Sequence, residues 1–307
     1  MLGFSWKRRR SSPLERKRAR AGVLFVLPWI ISLLLFTAYP VIATFYFSFT
    51  RYNIIEPPEW IGLQNYQTMF TADPELWISV GNSTYYALIS VPLSLLCSFG
   101  LALLLDMRVK GMTIYRTIFY LPTLVPPVAS TIVFILLFSP DAGLINSLLH
   151  LFGLPSQGWL SDPALSKPVL ITMSLWGAGA ATLVFLAGLK EIPVTLLEAA
   201  SLDGAGPWQR FIHVTLPLLS PVILFNLVMG VISSFQVFTQ AMVIGGTTGE
   251  PLDSTLMYMV LIYKQAFRYF SMGYASALSV VLFLAVLLVT LLIFLFSKRW
   301  VYYEGGR

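Results

Sequence analysis

Six stretches of this chain each run for more than twenty residues without an Asp, Glu, Lys or Arg: 21–50, 76–105, 117–140, 168–189, 211–249 and 269–297. A helix rises about 1.5 Å per residue, so about 20 apolar residues cross the hydrocarbon of a bilayer. Six such runs leave little choice of fold. Backbone groups in lipid must find their hydrogen bonds inside the protein, and a helix does so within one segment. Trimmed to their apolar cores, the runs predict an all-α polytopic membrane protein with six transmembrane helices at 22–47, 82–105, 117–138, 168–189, 221–244 and 273–297. A further uncharged run, 142–161, has only "LINSLLHLF" as its apolar core and is ended by "GLPSQG". It is too short to span and is expected to lie as a short helix against the membrane surface.

Composition agrees with lipid as the solvent. Only 11% of the 307 residues are charged and 57% are hydrophobic, where a soluble domain carries about 25% charged residues. The net charge of +6 is concentrated in "KRRRSSPLERKRAR", directly before the first apolar run. That placement is the cytoplasmic flank of a membrane helix and not a nucleic-acid surface. The following 30 uncharged residues far exceed the h-region of a cleavable signal, so the first helix is expected to be retained. The lone cysteine, Cys97, excludes a disulfide framework, and His150 and His213 have no ligand-type spacing, so no metal site is expected.

Six spans divide the chain into a basic cytoplasmic segment (1–21), the transmembrane region (22–297) with a polar loop over 191–220, and a cytoplasmic tail (298–307). Sixteen of the 20 Lys and Arg then fall on the cytoplasmic side and four on the other: Arg51, Lys167, Lys264 and Arg268. This obeys the positive-inside rule. A seven-helix arrangement divides them 14 to 6, so segment length decides the count more than charge does.

The polar loop joins the fourth and fifth spans on the cytoplasmic face. It reads as two short helices. Pro193 suits a first helical turn, and Thr195-x-x-Glu198 suits a capping box two residues later; both starts stay open. "DGAGP" breaks the helix at Gly204, and Pro207 can begin the second. A plain connector needs few residues and no row of exposed Leu, Trp and Phe, so an apolar-plus-acidic helix pair points to docking against another protein.

Glu198-Ala199-Ala200, three residues, Gly204, nine residues, then Val214-x-Leu216-Pro217 resembles the EAA motif of the membrane subunits of binding-protein-dependent ABC importers, with Val214 in place of the more usual isoleucine. Asp203 and Ala205 beside Gly204 are similar to the sugar-importer form of the motif. "GLQNYQTMF", "RTIFYLPTLVPPV", "GGTTGEPLDSTLMYMVLIYKQAF", "MGYASALSVVLFL" and "KRWVYYE" spread the likeness to maltose-type sugar permeases, the first of the usual two, over most of the chain. The resemblance implies that Glu198, Ala199, Ala200, Asp203 and Gly204 belong to a coupling helix that docks on a separate ATP-hydrolysing subunit. It further implies a second permease subunit in a heterodimer, two ATP-binding subunits that hold ATP and Mg, an extracytoplasmic solute-binding protein, and a plasma (inner) membrane location with both termini cytoplasmic. No catalytic residue and no cofactor are expected in this chain, and no G-x-x-x-x-G-K-[ST] phosphate loop occurs in it.

No ionisable residue lies within the six cores, which argues against an ion-coupled carrier and favours a neutral polar solute. A membrane-bound transferase would need a convergent cluster of His, Asp or Glu, and none is evident. The fifth span offers a polar face: at 100° per residue Asn226, Ser233, Gln240 and Gln236 fall at 0°, −20°, −40° and −80°. Such residues line a pathway or pack between helices; Gln236 and Gln240, nearer the outer end, are expected on the pathway. Thr172, Trp176 and Gly179 share a face of the fourth span, where Trp176 either stacks on a solute or packs. Pro122, Pro126 and Pro127 should distort the third span. The expected function is the permease half of an ATP-driven importer of a sugar or oligosaccharide; a polar relative such as glycerol phosphate is the alternative.

Overall fold

The computed structural model describes residues 13–107 and 109–302. Of the basic segment expected over 1–21, residues 1–12 and the remaining Lys and Arg side chains lie outside the described residues, as do Arg108 and tail residues 303–307. Four helices are long and apolar enough to cross a membrane, Ala21–Phe47, Pro74–Asp106, Pro207–Thr248 and Met272–Ser297, and two bent pairs bring the spans to six. One end of the bundle carries the 191–220 loop and Tyr302 and is called proximal; the other is distal.

The first span is exposed on every face and meets the bundle through the sixth, where Phe45 sets its ring edge-on to Phe283 at 6.2 Å. Its helix widens into a π turn at Leu34–Ala38, where Pro40 withholds the N–H that would bond one turn back. At the distal end Thr50–Arg51 pairs antiparallel with Glu59–Trp60, a two-residue ladder too short to leave a pattern in the sequence. Buried Asn65 then donates to both Ser48 O and Thr50 O (2.9 Å each) and fixes where the chain leaves the span.

The second span is the axis of the molecule and packs on the fourth and fifth. It runs over Pro74–Asp106, 33 residues or about 50 Å, and so starts well before the apolar core expected at 82. Asp73 caps it by accepting from the Glu75 and Leu76 amides, with Pro74 in the first turn. Glu75 is accommodated there because Lys264 reaches it at 2.6 Å; Lys264, placed among the outer loop charges by the sequence, is buried. At the proximal end the Arg116 guanidinium donates to Leu105 O (2.8 Å from Nη2), a cation at a helix C-terminus.

The third span is not one rod over 117–138. Met112–Leu124 and Pro127–Leu137 meet at 98°. Val125 precedes a proline and is held extended, Pro126 is extended as well, and the helical ladder cannot cross them. The fourth span begins earlier than 168, at Pro163, capped by Asp162, and bends by 46° between Trp176 and Gly179. The fifth span holds a straight helix only over Leu216–Phe235; the chain turns at Gln236–Phe238 and resumes at Thr239–Gly245. The sixth, Met272–Ser297, matches its expected extent within a residue.

The short helix expected within 142–161 occupies Leu144–Leu151. Buried Asn146 anchors it, donating to Pro140 O and Gln157 O and accepting from the Trp159 indole at 2.8 Å. Most of the core lies distally, around Leu76, Tyr86, Phe134, Leu170, Leu256, Met257, Leu261 and Leu278. Tyr258 joins it and donates to Leu278 O (3.0 Å); burial first, then the Asp73 charge, pushes its phenol well above the usual range, so the donor is kept. A smaller proximal core gathers Ala102, Leu105, Phe185 and Leu186.

Candidate functional site

The 191–220 loop folds as two short helices. The first is Val194–Leu202, with Pro193 at the N-cap and no capping side chain. Neither start offered by the sequence is therefore taken: Pro193 lies just outside the helix, and Thr195, already in its second position, does not cap. The exit is a complete Schellman closure: the Ala205 amide donates to Ala200 O (2.9 Å) and the Gly204 amide to Ser201 O (3.1 Å). It requires a left-handed residue, and Gly204 has φ +81°. The second helix opens at Pro207, where Gln209 Oε1 accepts from the Gly206 amide (2.8 Å), and Arg210 donates back to Ser201 Oγ (2.7 Å), tying the two together.

This geometry sets what the loop presents. Val194, Glu198 and Leu202, spaced by four, form one exposed face, and Leu202 is 89% exposed. Ala199, Asp203 and Gly204 are exposed beside it, while Ala200 is half-buried and supplies the closing carbonyl. Among the described residues, Glu198 and Asp203 have no basic partner within 4 Å. A short rigid helix with an unpaired acid between two exposed apolar residues is suited to a socket on another protein.

The second feature is a cavity of about 590 Å³ between the second, third, fourth and fifth spans. The breaks of three spans converge on it: Pro127 after the 98° turn, Gly177 and Ala178 at the 46° bend, and Gln236, Val237 and Phe238 where the fifth span turns. Irregular backbone at membrane depth is tolerated where it lines a cavity. Asn226, Ser233, Gln236 and Gln240 all reach this cavity. They do not do so as one helical stripe, because the helix ends at Phe235 and the turn carries the two glutamines round.

Their hydrogen bonds divide them. The Asn226 amide donates one N–H to Val222 O (2.9 Å) and the Ser233 hydroxyl donates to Gly230 O (3.1 Å), leaving a ligand the second Asn226 N–H and the two side-chain oxygens. The side-chain amides of Gln236 and Gln240 have no partner among the described residues. Trp176 is not among the residues lining the cavity. It is half exposed and meets Phe134 edge-on at 5.9 Å. The bend also takes Gly179 out of register with Thr172 and Trp176, and Gly179 lies against Phe119 O of the third span instead.

Sequence reading overlooked the wall given by the second span, Tyr86, Ser90 and Ser94. The signal was present: a spacing of four puts the three on one face. Ser174, Ser234 and Thr239 add further hydroxyls, and Phe225 and Phe238 supply rings. None of the lining residues is charged.

Known proteins share this fold. Residues 90–302 match the family described as the inner membrane component of binding-protein-dependent transport systems. The chain is 45% identical to a probable ABC transporter permease protein, YesP of Bacillus subtilis, with 94% of each chain covered. It is 33% identical to the trehalose/maltose transport system permease protein MalF of Thermococcus litoralis, over 92% of this chain and 95% of that one. A solved bacterial ABC transporter, involved in import of the acidic polysaccharide alginate, contains a chain with a TM-score of 0.81 and 25% identity, over 94% of this chain and 99% of that one. The chain therefore belongs to the family of binding-protein-dependent transport system inner membrane components, and it is a membrane-embedded permease subunit of an ABC importer.

Proposed function

We propose that the chain forms half of the translocation pore of an ATP-driven importer for a neutral sugar or short oligosaccharide. The observation that carries this reading is the uncharged cavity at three helix breaks, with the Gln236 and Gln240 amides unpartnered among the described residues. Hydroxyls need donors and acceptors together, and amides, serines and interrupted backbone offer both without charge. Rings such as Tyr86, Phe225 and Phe238 give sugar faces an apolar seat. The trehalose/maltose relative supports the class. A phosphorylated solute such as glycerol phosphate would call for cationic partners, which this lining lacks.

In this reading a second, different permease subunit completes the pore. A solute-binding protein delivers the solute to the distal, extracytoplasmic end. Two ATP-binding subunits, which hold ATP and Mg, dock on Glu198, Ala199, Ala200, Asp203 and Gly204. The chain contributes no catalysis and binds no cofactor or metal. It lies in the plasma (inner) membrane with both termini and the 191–220 loop in the cytoplasm.

The test is uptake by the reconstituted complex, with subunit content measured alongside. Neutral di- and trisaccharides should be carried in preference to their uronic acid counterparts. Gln236→Ala and Gln240→Ala should each lower uptake by about 5- to 30-fold at unchanged subunit content, since each leaves a solute hydroxyl unpaired at a cost of about 1–2 kcal/mol. Preference for the acidic sugars, or normal uptake by both variants, would refute the reading.

A further inference from the structure

Four aromatic rings make successive contacts from the 191–220 loop toward the cavity. Trp208, 69% exposed beside the first short helix, stacks on Phe211 with centroids 5.5 Å apart and planes at 23°. Phe211 stacks on Phe99 of the second span at 5.9 Å and 24°. Phe99 meets Phe185 of the fourth span at 5.4 Å and 52°, and Phe185 is 1% exposed. The chain of contacts ends at the cavity on both branches. Val184 precedes Phe185 and lines the cavity; Leu95, one helical turn before Phe99, lines it too. Phe211 also opens the π segment Phe211–Thr215 that leads into the fifth span.

We propose that these rings form the mechanical link between the coupling loop and the solute cavity, with Phe99 as its positioning residue. The inference rests on the proposed docking of the loop to an ATP-hydrolysing subunit. Its physical basis is that packed interiors hardly compress, so a pushed ring displaces its neighbour instead of absorbing the motion. Among the described residues, Phe99 is the ring that touches both the loop side, through Phe211, and the deeply buried side, through Phe185. The π turn at Phe211–Thr215 interrupts the α-helical ladder where the second short helix passes into the helix beyond Leu216. Phe99 is partly buried and does not line the cavity, so its role lies in transmission.

The experiment uses the full complex in proteoliposomes with loaded binding protein. Three quantities are read together: ATPase subunit retained on pull-down, ATP hydrolysed, and solute taken up per ATP. Phe99→Leu keeps an apolar side chain and removes the ring. Trp208→Leu removes the outermost ring without touching a span. Both should retain the ATPase subunits and continue hydrolysis, while uptake per ATP falls by about 2- to 30-fold. The double variant should be no worse than the weaker single variant, since both cut the same path. A merely structural Phe99 would reduce the amount of complex and leave uptake per ATP unchanged, which would overturn the proposal. So would penalties that multiply independently, or loss of ATPase retention with Trp208→Leu, which would assign that ring to the docking surface. If Phe99→Leu fails to assemble, normal uptake per ATP with Trp208→Leu decides against the link. Failure of any ATPase to associate with the unaltered chain is a separate result and would refute the docking reading itself.

Discussion

Gly204 has φ +81°, and nothing stands within 4 Å of where its Cβ would be. The constraint at this position is therefore conformational and not steric. A valine there costs about 1 kcal/mol or more in the left-handed region, because a β-branched side chain fits it poorly. The loss falls on the closure that ends Val194–Leu202 and aims Pro207–Arg210. Gly204→Val should leave the spans inserted, while ATPase pull-down or solute-stimulated hydrolysis in reconstituted membranes drops sharply. Glu198→Lys should produce the same loss through charge reversal at an exposed, unpaired acid, with no change in thermal stability. Normal docking and stimulation in both would make the loop a passive connector. The glycine was legible as a helix exit because turn chemistry is local. The helix start was not, because Pro193 and Thr195 both carry start signals and the chain uses neither as read.

At the scale of elements, the straight spans were legible and the broken ones only in part. Pro122, Pro126 and Pro127 announced a distortion of the third span, but not that its halves would meet at 98°. Hydropathy reports which residues avoid water and is silent on where a helix turns inside lipid. For the same reason the polar face drawn down the fifth span is not one helical stripe: its four residues all line the cavity, but the helix ends at Phe235, before Gln236 and Gln240, and Trp176 is left outside. Buried Lys264 was illegible because its partner Glu75 is remote in sequence and a charge count treats both as solvated. The bends are locked by close approach. A Cβ on Gly179 would stand 2.5 Å from Phe119 O, a backbone atom that cannot swing aside. Gly179→Ala should push the third and fourth spans apart at a cost of about 1–3 kcal/mol, lowering the melting temperature of the purified complex and its uptake together. An unchanged melting temperature would mean that the two spans do not approach so closely in the membrane.

The second span packs on the third, fourth and fifth, and the outer surface of the molecule is rich in exposed Leu, Ile and Phe. That surface is stable only in lipid or against other subunits, and its orientation fixes the direction of transport. Six spans put the 191–220 loop and the Leu144–Leu151 helix at opposite ends. The excess of Lys and Arg on the side of the loop is the ground for proposing that the loop faces the cytoplasm. Two exposed serines report on this directly: Ser201 closes the first loop helix, and Ser156 contacts His150 Nε2 at 2.8 Å beyond the distal helix. Single cysteines at these positions, in a Cys97→Ser background, should react with an impermeant maleimide from opposite sides of sealed cells. Ser156→Cys should label intact cells, and Ser201→Cys should label only after permeabilisation or in inverted vesicles. Labelling of both from outside would require an even number of crossings between residues that the six-span arrangement separates by one bent span, the fourth, and would end it. A reversed pattern would keep the six spans and invert the molecule, leaving the coupling face where no ATP is supplied.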